Sequence, residues 1–131
     1  MSDPRIVGAS LRRFVGGFVR DLSLRVHERL VARTPVDTGW ARTNWVPRVG
    51  SPFEGTAGTR PDAEAGRLDR GPMEAGIAEV RRYELEQGDV HVTNNVPYIE
   101  KLNAGSSRQA PSAFVQGEIV GAIEDVGGSR R

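Results

Sequence analysis

The chain has 131 residues, with 18 basic and 17 acidic side chains and a formal net charge of +1. That length makes one domain, residues 1–131, and a domain of this size buries about two-thirds of the surface its unfolded chain exposes. The absence of cysteine excludes disulfides, thiolate metal sites and cysteine nucleophiles, and the near-neutral balance argues against a dedicated nucleic-acid binder.

Residues 5–33 carry the clearest pattern. Leu11, Phe14, Val15, Phe18, Val19, Leu22, Val26 and Leu30 recur at steps of three and four. They make one apolar stripe on a helix of about 40 Å. Arg12, Arg13, Arg20, Asp21, Arg25, Glu28 and Arg29 lie mostly off that stripe. Asp3 before Pro4 reads as an N-cap followed by proline at the first helical position. Thr34-Pro35 ends the run, because the residue before proline is pushed out of the helical region. Gly16-Gly17 in mid-helix implies either a bend or another backbone packed close by.

Thr-Pro-Val-Asp-Thr-Gly at 34–39 reads as a tight turn, in which Asp37 caps and Gly39 supplies a positive φ. Residues 40–49 read as a strand carrying Trp40, Trp45, Val46 and Val49, with Pro47 placing it at an edge. Residues 50–71 form a polar excursion with few anchors, of the kind that orders on assembly. A short helix is expected over 72–84, with Pro72 at its start and Met73, Ile77 and Val80 on one side. Glu86 to Asp89 reads as a turn, 90–93 as a strand, and 96–104 as a helical turn carrying Tyr98, Ile99 and Leu102. Pro111 opens a last helix with Val115, Ile119, Ala122, Ile123 and Val126 at helical spacing. Gly127-Gly128 is expected to end it, leaving a frayed tail. The expected fold is therefore α+β: a long N-terminal helix packed on a small, mostly antiparallel sheet, with a C-terminal helix.

Asp37-Thr38-Gly39 matches the triplet of aspartic peptidases, in which two carboxylates share a proton. The context argues against that chemistry, since a long helix precedes the triplet where such an enzyme has an apolar strand. The two histidines, His27 and His91, sit on different elements with no carboxylate pattern between them, so no metal or cofactor is expected. No apolar run approaches the roughly 20 residues of a membrane span, and the N-terminus has no signal-peptide pattern. The basic residues are 17 arginines and Lys101. Codon bias accounts for that ratio, yet arginine and tryptophan also dominate protein interfaces. Trp40, Arg42, Trp45, Arg108 and Gln109 are the candidate interface residues.

Two stretches carry a family resemblance. The first is Thr34-Pro35-Val36-Asp37-Thr38-Gly39-Trp40-Ala41-Arg42-Thr43-Asn44-Trp45. The second runs from Asn95-Val96-Pro97-Tyr98 through Gly105-Ser106-Ser107-Arg108-Gln109-Ala110-Pro111. In this order they resemble the tail-completion and neck proteins of long-tailed double-stranded DNA phages, of the minor tail protein Z type. Pro35, Asp37, Thr38, Gly39, Pro97, Tyr98 and Pro111 then stand as fold determinants of the two turns. One departure is Ala113, where members often have glycine after Gln-Ala-Pro. The resemblance implies a virion structural protein rather than an enzyme, assembled in the host cytoplasm. It implies a ring of copies, hexameric in the family, at the head-proximal end of the tail. Its neighbours would be neck or connector proteins and tail-tube or tail-terminator proteins, with DNA passing through the channel without specific binding. An aspartic peptidase using Asp37, and a nucleic-acid-binding module using the arginine-rich first helix, are the competing readings.

Overall fold

The computed structural model describes residues 3–35, 39–59, 67–105 and 112–129. Asp37, Thr38, Arg108, Gln109 and Pro111, and residues 60–66 of the excursion, lie outside these segments.

Helix α1 spans Pro4–Arg33, with Asp3 in extended backbone accepting from the Arg5 N–H at 2.9 Å. Gly16 lies buried where the Leu85 backbone nitrogen passes 3.4 Å from the position a Cβ would take. Of the two meanings of Gly16-Gly17, close backbone approach is therefore realised. After α1 come a short helix α2 (Trp40–Thr43), strand β1 (Val46–Val49), helix α3 (Gly71–Arg81) and a single 3₁₀ turn (Leu85–Gln87). Strand β2 (Val90–Thr93), helix α4 (Ile99–Asn103) and helix α5 (Phe114–Ser129) complete the chain. The two strands pair antiparallel, with Val46 opposite Thr93, Pro47 opposite Val92 and Val49 opposite Val90. The α+β arrangement is thus a long N-terminal helix, a two-stranded antiparallel sheet and a C-terminal helix.

Helix α3 packs on β1 through Gly76, where a Cβ would overlap the Pro47 carbonyl oxygen. The second half of α1 covers the sheet and α3, and α5 lies along α1. Between these layers sit Leu30, Trp40, Trp45, Val46, Val80, Tyr83, Val96, Phe114 and Ala122.

Three expectations need correction. Residues 40–43 are helical, and only Val46–Val49 is a strand. Positions five apart on a strand point to opposite faces, yet Trp40 and Trp45 are both 5% exposed. A helical turn followed by a bend at Asn44 brings both rings inward. Second, Gly127 and Gly128 lie inside α5, which runs to Ser129. Third, the excursion is anchored among its described residues: Ala57 is buried, and Thr59 and Arg67 bond to each other across the loop.

Candidate functional site

The two stretches that carry the resemblance meet in space. Gly39, with φ +72°, turns the chain into α2 in the left-handed conformation expected of it. Asn44 then clamps Ala57 of the excursion. Its Oδ1 accepts from the Ala57 N–H at 2.6 Å, and its Nδ2 donates to the Ala57 carbonyl at 3.1 Å and the Trp40 carbonyl at 2.8 Å. Trp40 Nε1 donates to the same Ala57 carbonyl at 3.0 Å. From the second stretch, the Tyr98 ring lies 6.1 Å from that of Trp40 at a tilt of 53°. Asn94 Nδ2 donates to the Ala41 carbonyl at 2.8 Å. Asn95 Nδ2 holds the Phe53 and Gly55 carbonyls, each at 2.9 Å. Asparagine supplies both a donor and acceptors on a short stem, so these three residues tie loops whose backbone groups have no strand partner.

A second set of bonds locks this knot to the end of α1. Thr34 Oγ1 donates to the Leu30 carbonyl at 2.6 Å and accepts from Trp45 Nε1 at 2.7 Å. His27 Nε2 donates to the Trp45 carbonyl at 2.8 Å. Burial lowers the His27 pKa from its ordinary value, the hydrogen bond to Trp45 opposing that shift. His27 is a core histidine, and His91 sits half-buried on β2 opposite Arg48. Among the described residues no group of three or more His, Asp or Glu is placed to hold a metal.

Two of the five candidate interface residues, Trp40 and Trp45, are found in the core. Their indole N–H groups are satisfied there. Arg42 donates to the Thr34 carbonyl at 2.7 Å and the Ala32 carbonyl at 3.0 Å. It therefore caps the open carbonyls at the end of α1. Arg108 and Gln109 lie outside the described residues, as do Asp37, Thr38 and Pro111 of the turn motifs. Pro35 is buried at the end of α1, and Pro97 is exposed at the turn before α4.

The surface features that matter were not among the predicted residues. One is an ion-pair ladder between α1 and α5. Asp125 Oδ2 accepts from Arg25 Nε at 2.7 Å and Arg29 Nη1 at 2.9 Å, and Glu118 lies 3.1 Å from Arg29 and 3.6 Å from Arg33. The order of these pairs makes the two helices antiparallel. The hydrogen bond from Arg25, with help from Arg29, holds the Asp125 carboxyl below its ordinary range. That compensates a carboxylate near a helix C-terminus, where the dipole disfavours it. Gly121 leaves room for the Arg29 guanidinium, which a Cβ would overlap.

The other is the first half of α1. Residues 4–15 are exposed apart from Gly8, which is half-exposed. The segment is about 18 Å long at 1.5 Å per residue; Ala9, Arg12 and Arg13 border a hollow shared with Tyr83–Glu86, and the turns before them project past it. Leu11 and Phe14 are each 58% exposed, and Ile6, Val7 and Val15 are exposed with them. On α5, Ile119, Val120 and Ile123 also face solvent, while Phe114, Ala122 and Val126 on the opposite side are buried. Among the described residues Phe114 is the largest fully buried side chain, and it stands just before Val115, where the expected apolar stripe began. Among the described residues no helix is long and apolar enough to cross a membrane. No family model matches the chain, and neither a curated protein nor a solved structure shows significant similarity to it.

Proposed function

We propose that this chain is a structural protein of the head–tail junction of a long-tailed double-stranded DNA phage. In this reading it forms a ring of copies at the head-proximal end of the tail and completes the tail for joining to the filled head. It resembles tail-completion proteins of the minor tail protein Z type in two ordered stretches covering 34–45 and 95–111. The observation that carries the reading is the convergence of those stretches. Trp40 of the first packs against Tyr98 of the second, Asn44 of the first and Asn95 of the second hold the same 53–57 loop, and Asn94, just before the second, bonds the Ala41 carbonyl. Residues shared with a family and joined in one knot act as its fold determinants.

The rest of the molecule suits a part that works by fitting. A ring needs two different complementary faces on each subunit. This chain offers a projecting apolar helix end and, separately, an apolar outer face on α5. Its near-neutral charge suits a channel through which phosphates pass without being gripped.

The test is imaging of particles made without this protein. Heads filled with DNA and tails left unjoined to them are the expected outcome. Whole virions formed in its absence would overturn the reading. A peptidase would instead lose cleavage in Asp37→Asn with its fold intact. A nucleic-acid binder would show a steep fall of affinity with salt.

A further inference from the structure

The exposed faces of α1 and α5 differ in character and are complementary. At about 100° per residue, Val7, Leu11, Phe14, Val15 and Phe18 fall within about 100° of arc on α1. Arg25 and Arg29, which hold Asp125, fall in the same arc. The projecting half of α1 therefore continues the face on which α5 lies, past the point where α5 ends. Helix α5 carries apolar residues on two sides, with Phe114, Ala122 and Val126 inside and Ile119, Val120 and Ile123 outside. The inner side is covered by this chain, and the outer side is an apolar patch that this chain leaves open.

Charge adds direction. Beyond the Asp3–Arg5 pair, the projection carries Arg12 on the flank of that arc, while Arg13 lies on the opposite side of α1, toward the Tyr83–Glu86 turn. Phe114–Ser129 carries Glu118, Glu124 and Asp125 and no basic residue. Glu118 and Asp125 are taken by α1 of the same chain, which leaves the exposed Glu124 beside the outer apolar face. Two copies of the projection would bring arginines together, whereas projection on α5 brings arginine to glutamate.

We propose that the projecting first half of α1 docks on the outer face of α5 of a second copy, with Leu11 over Val120 and Ile123. Projection and α5 face are different surfaces of one chain, so the contact is heterologous and repeats around a ring. This deepens the head–tail reading by naming the surfaces through which its ring closes.

The chain has no cysteine, so two single variants of the full-length protein, Leu11→Cys and Val120→Cys, can be mixed and oxidised mildly. A disulfide-linked dimer that forms in the mixture and not from either variant alone is the expected result. Light scattering should give the wild type a mass of several chains. Leu11→Asp should weaken that association about a hundredfold, with the thermal midpoint unchanged at dilutions where both proteins are single chains. Cross-links between two Leu11→Cys chains would show the projection pairing with itself and overturn the proposal. A single-chain mass at the highest soluble concentration, with no mixed cross-link, would also overturn it. Virion imaging stands apart from both results: whole virions without the protein would remove the head–tail reading and leave a mixed cross-link standing.

Discussion

Leu11 and Leu30 belong to the same apolar stripe of α1, yet Leu11 is 58% exposed and Leu30 is 2% exposed. Around Leu30 the helix is covered by α5 and by the Trp40–Asn44–Trp45 knot, and its last carbonyls are capped by Arg42. Around Leu11 the same kind of helix stands in solvent. A short helical segment without packing is marginal in water, so the first half of α1 rests on its continuity with the anchored half. One half of the helix builds the domain, and the other half leaves its apolar side chains exposed. The difference shows that amphipathic periodicity reports where an apolar face lies and not whether this chain covers it.

Changes in the anchored half and its packing partners should cost stability, and changes in the projection should not. Phe114→Ala should have the largest effect, about 3–5 kcal/mol in denaturant unfolding, since it empties a fully buried ring site. Asn44→Ala should cost about 2–3 kcal/mol, because it strands the buried Ala57 N–H and removes the clamp on the excursion. Proteolysis near residues 50–59 should accelerate in the same variant.

The His27 effect is smaller and depends on pH. Its folded pKa is lowered from 6.5 by burial, so the unfolded chain takes up a proton first as the pH falls. Stability from the neutral imidazole is full above that value and declines below it. The thermal midpoint should drop as the pH passes from about 7 toward 5. His27→Gln, which keeps a donor toward the Trp45 carbonyl, should flatten that slope.

Ala113→Gly should stabilise the protein by about 0.5–1 kcal/mol. Ala113 has φ +59°, the only positive value at a non-glycine position among the described residues. The Ala113 N–H is held by the Asn103 carbonyl at 2.6 Å, and Asn103 Oδ1 accepts from the Val115 N–H at 3.0 Å, so the conformation is imposed by the closure of the loop onto α5. Last, Leu11→Ser should change unfolding free energy by less than about 0.5 kcal/mol. A loss comparable to that of Phe114→Ala would mean that the projection packs within its own chain.

Much of this architecture was legible before any coordinates. The cap at Asp3, the stop at Thr34-Pro35, the positive φ at Gly39, the start of the helix expected over 72–84 and found at Gly71–Arg81, and the strand at 90–93 all follow from local chemistry. The clamp of Asn44 on Ala57 was not legible. It joins positions 13 apart through one side chain, and nothing in local patterning marks asparagine as a tie rather than a turn residue. The Arg25–Asp125 pair, 100 positions apart in the chain, was equally hidden. Trp40 and Trp45 looked like surface anchors because composition enriches tryptophan at interfaces. Their indole N–H groups instead found acceptors inside the domain.

The sequence by itself determined both ends of α1 and which faces of the longer helices are apolar, because caps, prolines and periodicity act over a few residues. Only the tertiary structure decided which apolar faces this chain covers. That depends on where α5 stops along α1, a distance set by the loop that Asn103 closes and by the arginine ladder. The exposed remainder, on the first half of α1 and the back of α5, is what the domain has left to offer another molecule.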